Sequence, residues 1–311
     1  MVTILLATCN AETYLKAQLE SIGAQSYENW NLVIGDNNST DQTLNIIQNF
    51  GEKHPGQVSV VSMNSELDGV VGVFVHLIQD SHGPYFMFCD QDDVWKPDKI
   101  YLSLQKMEAL EERYGKGTPI LVHSDLSVVN ENLEMIAESY FQYANIPKRI
   151  SLNQLVIQNS TVDCTIMINR SLQNFFLQSL PVNKILSHGY WSALIARVFG
   201  KIGFVNEPTM YHRRHDEDES SYDLLGNIKQ LPQQIRGQKA DYHRKVIQTM
   251  EQVQAFTSTY KDELKGNQEI DLLKSYGDLY YKGKVRRIFF YRNHKVWKEG
   301  NLRKVIQWLW G

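Results

Sequence analysis

Short apolar runs alternate with stretches whose apolar residues recur at helical spacing through the first hundred positions. Val2 to Ala7 is a run of strand length, and after it Leu15, Leu19 and Ile22 fall at i, i+4 and i+7, one face of a helix. Leu32 to Gly35 is the next run, followed by a helix bearing Leu44 and Ile47 that Ser39 or Thr40 can cap. Val58 to Ser62 and Tyr85 to Cys89 repeat the strand signal, with a helix through Phe74, Leu77 and Ile78 between them. Strand and helix in alternation predict an α/β fold with a mostly parallel sheet flanked by helices. Beyond Pro119 the pattern is mixed, with strands at Ile120 to His123 and Cys164 to Ile168 and helices around Ser151 to Leu155 and Tyr190 to Phe199. An acidic run, Asp216 to Glu219, and a linker-like Asp223 to Gly226 then lead into a helical region with Val246, Met250 and Val253 on one face. Two domains are expected, 1–222 and a helical, basic and aromatic 223–311.

The run Tyr85 to Cys89 ends abruptly in Asp90, Asp92 and Asp93. Such a cluster is costly unless something positive sits on it, and in open α/β sheets ligands bind beyond the carboxyl ends of the strands. Acids placed there suit a hard divalent cation with oxygen ligands, and through it a diphosphate. The plainer alternative is a solvated turn in which Asp93 caps the helix that Pro97 opens, whose apolar face is Ile100, Leu104, Met107 and Leu110.

Composition narrows the class. At 311 residues, 42% hydrophobic and 22% charged, the chain can bury a full core and has room for one large domain and an appendage. No window approaches 18 uninterrupted apolar residues, and the run Val2 to Ala7 is too short and too little flanked by charge for a signal peptide. Cys9, Cys89 and Cys164 lie far apart without metal-ligand spacing, which fits a reduced, cytoplasmic setting and buried structural thiols. The net charge of −3 conceals a segregation, because Lys282 to Lys304 holds nine Lys or Arg against one acid, Glu299.

With these pieces in place the chain resembles the family 2 glycosyltransferases of the GT-A fold, in particular their rhamnosyltransferase-like branch. The matching segments are Ile4 to Asn10, Ile34 to Thr43 (Ile-Gly-Asp-Asn-Asn-Ser-Thr-Asp-Gln-Thr), Asp90-Gln-Asp-Asp-Val-Trp95, Val122 to Asp125, and Glu207 to His215. The resemblance implies transfer of a sugar, rhamnose being one candidate, from a nucleotide-diphosphate sugar to a glycan or lipid-linked acceptor in cell-surface polysaccharide synthesis. It further implies a metal-dependent, inverting reaction with Mn2+ or Mg2+. On the residues that match, it implies metal ligation by Asp90, Asp92 and His215, and donor binding by Thr8, Asn10, Asp36, Asn37, Asp90, Asp93 and Arg213.

Several positions depart from that pattern. Cys9 stands where relatives commonly show an aromatic residue, Asn37 where they show a second acid, and Val73 where they show an asparagine. At Ser187-His-Gly-Tyr-Trp191 relatives typically read His-Asp-Trp-Trp, and the Asp is the expected general base; Gly189 cannot take a proton. A carboxylate is gained at Asp163, in a Gly-Cys-Thr pattern that here reads Asp163-Cys-Thr165. Two expectations follow: Asp163 or His188 is the catalytic base, or the site is degenerate and the domain is a binding or scaffolding partner of another transferase.

From Tyr280 to Trp310 basic residues interleave with Ile288, Phe289, Phe290, Tyr291, Trp297, Val305, Ile306, Trp308, Leu309 and Trp310. This is the pattern of a segment lying on an anionic membrane surface, and it predicts a protein peripheral to the inner face of the cell membrane. A helix packed on the protein with a solvated basic face is the alternative. No nucleic-acid-binding module accompanies the charge, and no nucleic-acid partner is expected.

Overall fold

A computed structural model of the chain describes residues 1–61, 63, 69–178, 181–215 and 232–311, the side chains of 232–238 and 301–302 excepted. It divides into two compact units. The first comprises Met1–Tyr143, Thr161–Gln178 and Ser187–Arg214, and the second Ala144–Ser160, Ser179–Leu186 and His215–Gly311. The expected domain boundary at 222/223 lies outside the described residues. The second unit also takes in two segments from the middle of the chain.

In the first unit, β1 (Val2–Thr8), α1 (Leu15–Gly23), β2 (Trp30–Asp36), α2 (Thr43–Lys53), β3 (Val58–Val61), α3 (Gly69–Asp80) and β4 (Tyr85–Cys89) follow in the predicted order. The strands β3, β2, β1 and β4 pair in parallel. All five residues of β4 are buried, as a strand covered on both faces requires. The helices turn Leu15, Leu19, Ile22, Ile47, Phe74, Leu77 and Ile78 inward. Leu44 is instead 48% exposed, so it does not share the buried face of Ile47. Nor do Ser39 and Thr40 cap α2, whose N-cap is Gln42; both are used in a loop described below.

The sheet continues through β5 (Val94–Trp95), β6 (Ile120–Val129), β7 (Met135–Ala137), β8 (Met167–Asn169) and β9 (Lys201–Arg213), in the order β3-β2-β1-β4-β8-β6-β9-β5 with β7 on β6. Around these strands lie α4 (Lys99–Tyr114), α5 (Tyr140–Tyr143), α7 (Arg170–Phe176) and α8 (His188–Phe199), while α6 (Leu152–Leu155) belongs to the second unit. Strand β8 runs antiparallel to β4 and β6, whereas β9 is parallel to β6 and antiparallel to β5. One expectation is corrected here, and one strand is new. The segment Cys164 to Ile168 is a 3-10 turn, Asp163–Thr165, leading into a shorter β8. The 13-residue β9 has no counterpart in the sequence reading. Its apolar alternation is broken by Glu207 and Pro208, where the register against β6 shifts, which is how a proline is tolerated inside a sheet.

The second unit contains α9 (Pro232–Thr259), α10 (Ile270–Gly277), α11 (Lys284–His294) and α12 (Asn301–Trp310). Val246, Met250 and Val253 are buried on one face of α9, as predicted. The inserted segments join it through Leu186 N–H donating to Gln252 Oε1 (2.8 Å), Asn153 Nδ2 to His294 O (2.6 Å) and Glu299 N–H to Gln158 Oε1 (2.8 Å). Among the described residues no helix is long and apolar enough to cross a membrane.

Candidate active site

Parallel pairing puts the carboxyl ends of β1, β2 and β4 on one edge, with Thr8 opposite Asp36 and Leu6 opposite Cys89. The loops leaving these strands are laced together by side chains. Thr8 Oγ1 donates to Asp36 Oδ1 (2.8 Å), Ser39 Oγ donates to the same oxygen (2.6 Å), and Ser39 N–H donates to Asp36 Oδ2 (2.9 Å). Asn10, at φ +47°, receives Thr40 N–H on its Oδ1 (2.9 Å) and donates its own N–H to Ser39 Oγ (2.8 Å). Asn37 N–H donates to Thr8 O at 2.7 Å. Four expected donor-binding residues, Thr8, Asn10, Asp36 and Asn37, therefore come together, and a groove of about 500 Å³ opens beside them, lined by Asp36, Ser39, Leu44, Val61 and Met63. Cys9 at this loop is exposed, unlike Cys89 and Cys164, and so is not the buried structural thiol expected from the sequence.

Gln91 ties the acid loop to this edge by accepting Cys9 N–H at 2.8 Å. Asp90 and Asp92 are half-buried and Asp93 is fully buried. Burial, with the charges of Asp93, Asp92 and Asp163, pushes the Asp90 carboxyl well above the usual carboxylate range, and His212 acts the other way. Asp93 does not cap α4; the N-cap there is Asp98, which accepts Ser26 Oγ at 2.7 Å. Asp93 Oδ1 instead meets His212 Nδ1 at 2.9 Å and accepts Arg213 N–H at 3.3 Å, while its Oδ2 has no hydrogen-bond partner among the described residues. Burial lowers the His212 pKa, but the Asp93 charge and hydrogen bond, with Asp90 and Asp92, outweigh it and raise the imidazole overall.

Asp93, Cys164 and His212 offer ligand atoms within 4.8 Å of one another. His215, an expected ligand, belongs to the second unit. His212 was not singled out in the sequence because the β5–β9 pairing that delivers it, Val94 opposite Tyr211, could not be read without β9. Arg213, the remaining donor-binding expectation, lies at the end of β9. Its guanidinium donates to Glu131 O and lies 4.8 Å from the Tyr14 ring, so its side chain braces the fold and its backbone serves Asp93. A fully buried cation, Lys99, was also missed. Its Nζ lies 3.4 Å from Met210 Sδ and 4.9 Å from the centre of the Trp95 ring, and burial pulls its pKa down to about 8 against the opposing charges of Asp93 and Asp90.

The two base candidates meet at the start of α8. Ser187 caps this helix by accepting Tyr190 N–H at 3.1 Å. Asp163 Oδ2 accepts Gly189 N–H at 3.4 Å, which sets a carboxylate against the positive end of the helix. A Cβ added at Gly189 would lie 2.5 Å from Asp163 Cγ and 2.8 Å from Ile166 Cδ1, so the Asp163 side chain fills the room that residue 189 leaves. His188 is buried, stacked on Phe74 at 3.8 Å between ring centres and edge-on to Phe88 at 4.5 Å. Its Nδ1 lies 3.8 Å from Asp163 Oδ2, and neither ring nitrogen has a hydrogen-bond partner among the described residues. Burial lowers its pKa, with Asp163 opposing. Asp163 retains 22% side-chain exposure against 4% for His188, so of the two the carboxylate is the one accessible to an acceptor.

Residues 3–171 match the family described as Glycosyl transferase family 2, which is more than half of the chain. The protein belongs to that family. It is therefore a glycosyltransferase, and its fold is GT-A. The chain is 25% identical over 223 residues to the dTDP-rhamnosyl transferase RfbG of Shigella flexneri, covering 69% of this chain and 73% of that protein. It is 24% identical over 242 residues to WfgD of Escherichia coli, a UDP-Glc:alpha-D-GlcNAc-diphosphoundecaprenol beta-1,3-glucosyltransferase, covering 75% and 88%. Among solved structures it resembles S. aureus TarS 1-349 in complex with UDP-GlcNAc, at TM-score 0.54 and 15% identity over 98% of this chain and 90% of that one. It also resembles the mannosyltransferase PcManGT of Pyrobaculum calidifontis in complex with GDP-Man and Mn2+, at TM-score 0.53 and 14% identity, covering 99% and 87%.

Proposed function

We propose that this glycosyltransferase moves a hexose or deoxyhexose, rhamnose being the first candidate, from a nucleotide-diphosphate sugar to a hydroxyl of a glycan or lipid-linked acceptor, with inversion. The observation that carries the reading is the Asp163 carboxylate, partly exposed beside the acid cluster and seated on the first turn of α8 where Gly189 leaves space. The acceptor oxygen attacks the anomeric carbon as its proton passes to Asp163, and the bond to the diphosphate breaks with its electron pair leaving on the diphosphate. His188, without a hydrogen-bond partner among the described residues, packs against Asp163 and limits its rotamers, a positioning role. Asp36, held by Thr8 and Ser39, fixes the loops that receive the nucleotide base.

The residues also fit a divalent cation. Asp90 and Asp92 are oxygen donors in a cluster where burial and the neighbouring carboxylates raise the Asp90 carboxyl, and Asp93 Oδ2 beside them is buried without a partner among the described residues. Mn2+ or Mg2+ held by Asp90 and Asp92 would supply positive charge to the leaving diphosphate. The names of the two relatives favour a thymidine or uridine diphosphate donor and an acceptor in cell-surface polysaccharide synthesis. Against the scaffolding alternative stands the survival of the whole acid cluster together with a carboxylate at the acceptor side. Calorimetric titration with thymidine and uridine diphosphate sugars, with and without Mn2+, tests the donor. Metal-dependent binding of at least one is expected, and none binding would remove the reading.

A further inference from the structure

The nine basic residues of 282–304 do not act alike in the fold. Arg287 donates to Leu279 O and Tyr280 O, Arg303 to Ala144 O, and Lys298 lies half-buried 4.7 Å from the centre of the Tyr242 ring. These three are committed to the second unit. Lys282, Lys284, Arg286 and Arg292 on and before α11 and Lys304 on α12 remain exposed. The aromatic and aliphatic residues divide in the same way. Tyr291 and Val296 are fully buried, and Phe290 nearly so. Val285 (82% exposed) and Phe289 (67%) instead face solvent one helical turn apart on α11, and Tyr281 (72%), at the end of the 3-10 turn Asp278–Tyr281 that precedes the helix, is exposed as well. On α12, Val305, Trp308 and Leu309 are exposed too. The Lys284 ammonium donates to Leu309 O, which brings the first turn of α11 to the last turn of α12.

From this we infer that α11 and α12 present a membrane-docking face, with Tyr281, Val285, Phe289, Val305, Trp308 and Leu309 entering the interfacial layer of an anionic bilayer and the exposed lysines and arginines meeting its headgroups. Large apolar side chains left in water by a monomer mark an interaction site. The charge around them selects the occupant, because Glu299 is the single acid among nine bases in this stretch and a negatively charged lipid surface complements it. The inference stands apart from the chemistry of the active site, since docking needs no turnover.

Removing the segment is the wrong test, because Tyr291, Val296 and Gln307 are fully buried and their loss would open the core of the second unit. Substitution of exposed positions avoids this. The full chain should co-sediment with phosphatidylglycerol-containing vesicles, weakly with phosphatidylcholine alone, and less at high salt. Phe289→Glu combined with Trp308→Glu should lower the partition by about 100-fold, from lost apolar burial and added like charge, with melting temperature and donor binding unchanged. Equal binding to both vesicle types, no binding to either, or an unaffected double variant overturns the inference. So does a wild-type dimer, seen by sedimentation velocity, that the double variant abolishes without any lipid binding, since the face would then cover a second copy.

Discussion

The Asp163 side chain occupies the space into which a side chain on residue 189 would grow, with its Cγ 2.5 Å from where a Cβ on Gly189 would stand. On the proposed reading, the carboxylate on the 3-10 turn takes the place of the base that the family pattern would put at residue 189. Glycine at 189 does not merely lack a carboxylate; it leaves room for one that approaches from elsewhere.

Asp163→Asn should lower kcat by about 100- to 10,000-fold, the usual contribution of a general base, while donor binding by calorimetry is kept. Gly189→Asp in the wild-type background should not raise activity, because two carboxylates would compete for one volume. Asp163→Gly combined with Gly189→Asp should recover part of what Asp163→Gly loses. Retention of kcat by Asp163→Asn refutes the assignment; loss of donor affinity along with it would mean the carboxylate shapes the donor site instead.

Metal dependence is checked at Asp92. Asp92→Asn should weaken nucleotide-diphosphate binding in Mn2+ by at least about 10-fold and leave the weaker metal-free binding nearly unchanged. If titrations with and without Mn2+ give the same wild-type affinity, the acids hold no metal in the donor complex.

The parallel half of the sheet was legible because each strand there is a continuous apolar run followed by a helix with one apolar face, and β4 was delimited correctly at Tyr85 and Cys89. The other half was harder to read. β5 has two residues and β9 carries Glu207 and Pro208 at a register shift, so no periodicity revealed them, while the three-residue β8 was anticipated by the apolar run Cys164 to Ile168 but with its start too early. Candidate site residues on strand ends, such as Asp36 and Asp90, followed from the motif. Those delivered by pairing of distant strands, such as His212 against Asp93, or buried by tertiary packing, such as Lys99, left no local mark. The tail was read as one amphipathic segment, whereas the structure buries Tyr291 and exposes Phe289 two positions earlier.

The Asp93 and His212 pair should matter for stability as well as placement. His212→Ala leaves Asp93 Oδ1 with Arg213 N–H alone and a buried carboxylate short of a partner. Because the imidazole is one-third exposed, the cost should be about 1–3 kcal/mol, the range for an unsatisfied buried group, read as a lower urea midpoint at constant slope. A midpoint unchanged in His212→Ala would mean that water replaces the imidazole without cost.

His123 gives a pH-dependent prediction away from the acids. Its ring is fully buried, 5.0 Å from Phe204 and 5.8 Å from Phe141 between centres, and neither nitrogen has a hydrogen-bond partner among the described residues. Burial lowers its pKa from 6.5 to about 3. Below 6.5 the unfolded chain therefore takes up a proton that the folded protein refuses until about 3. The folded state loses stability as pH falls through that window, by up to about 1.4 kcal/mol per unit, and the effect is absent above it. His123→Leu should remove this slope, so the stability difference between variant and wild type should grow from pH 7.5 to pH 5 in urea titrations. At pH 7.5 the variant should already be equal or better by about 1 kcal/mol, since an unpaired polar ring is exchanged for an apolar side chain of similar size. Parallel pH profiles for the two proteins would show that His123 finds a proton acceptor or a water in solution, and the prediction would fail.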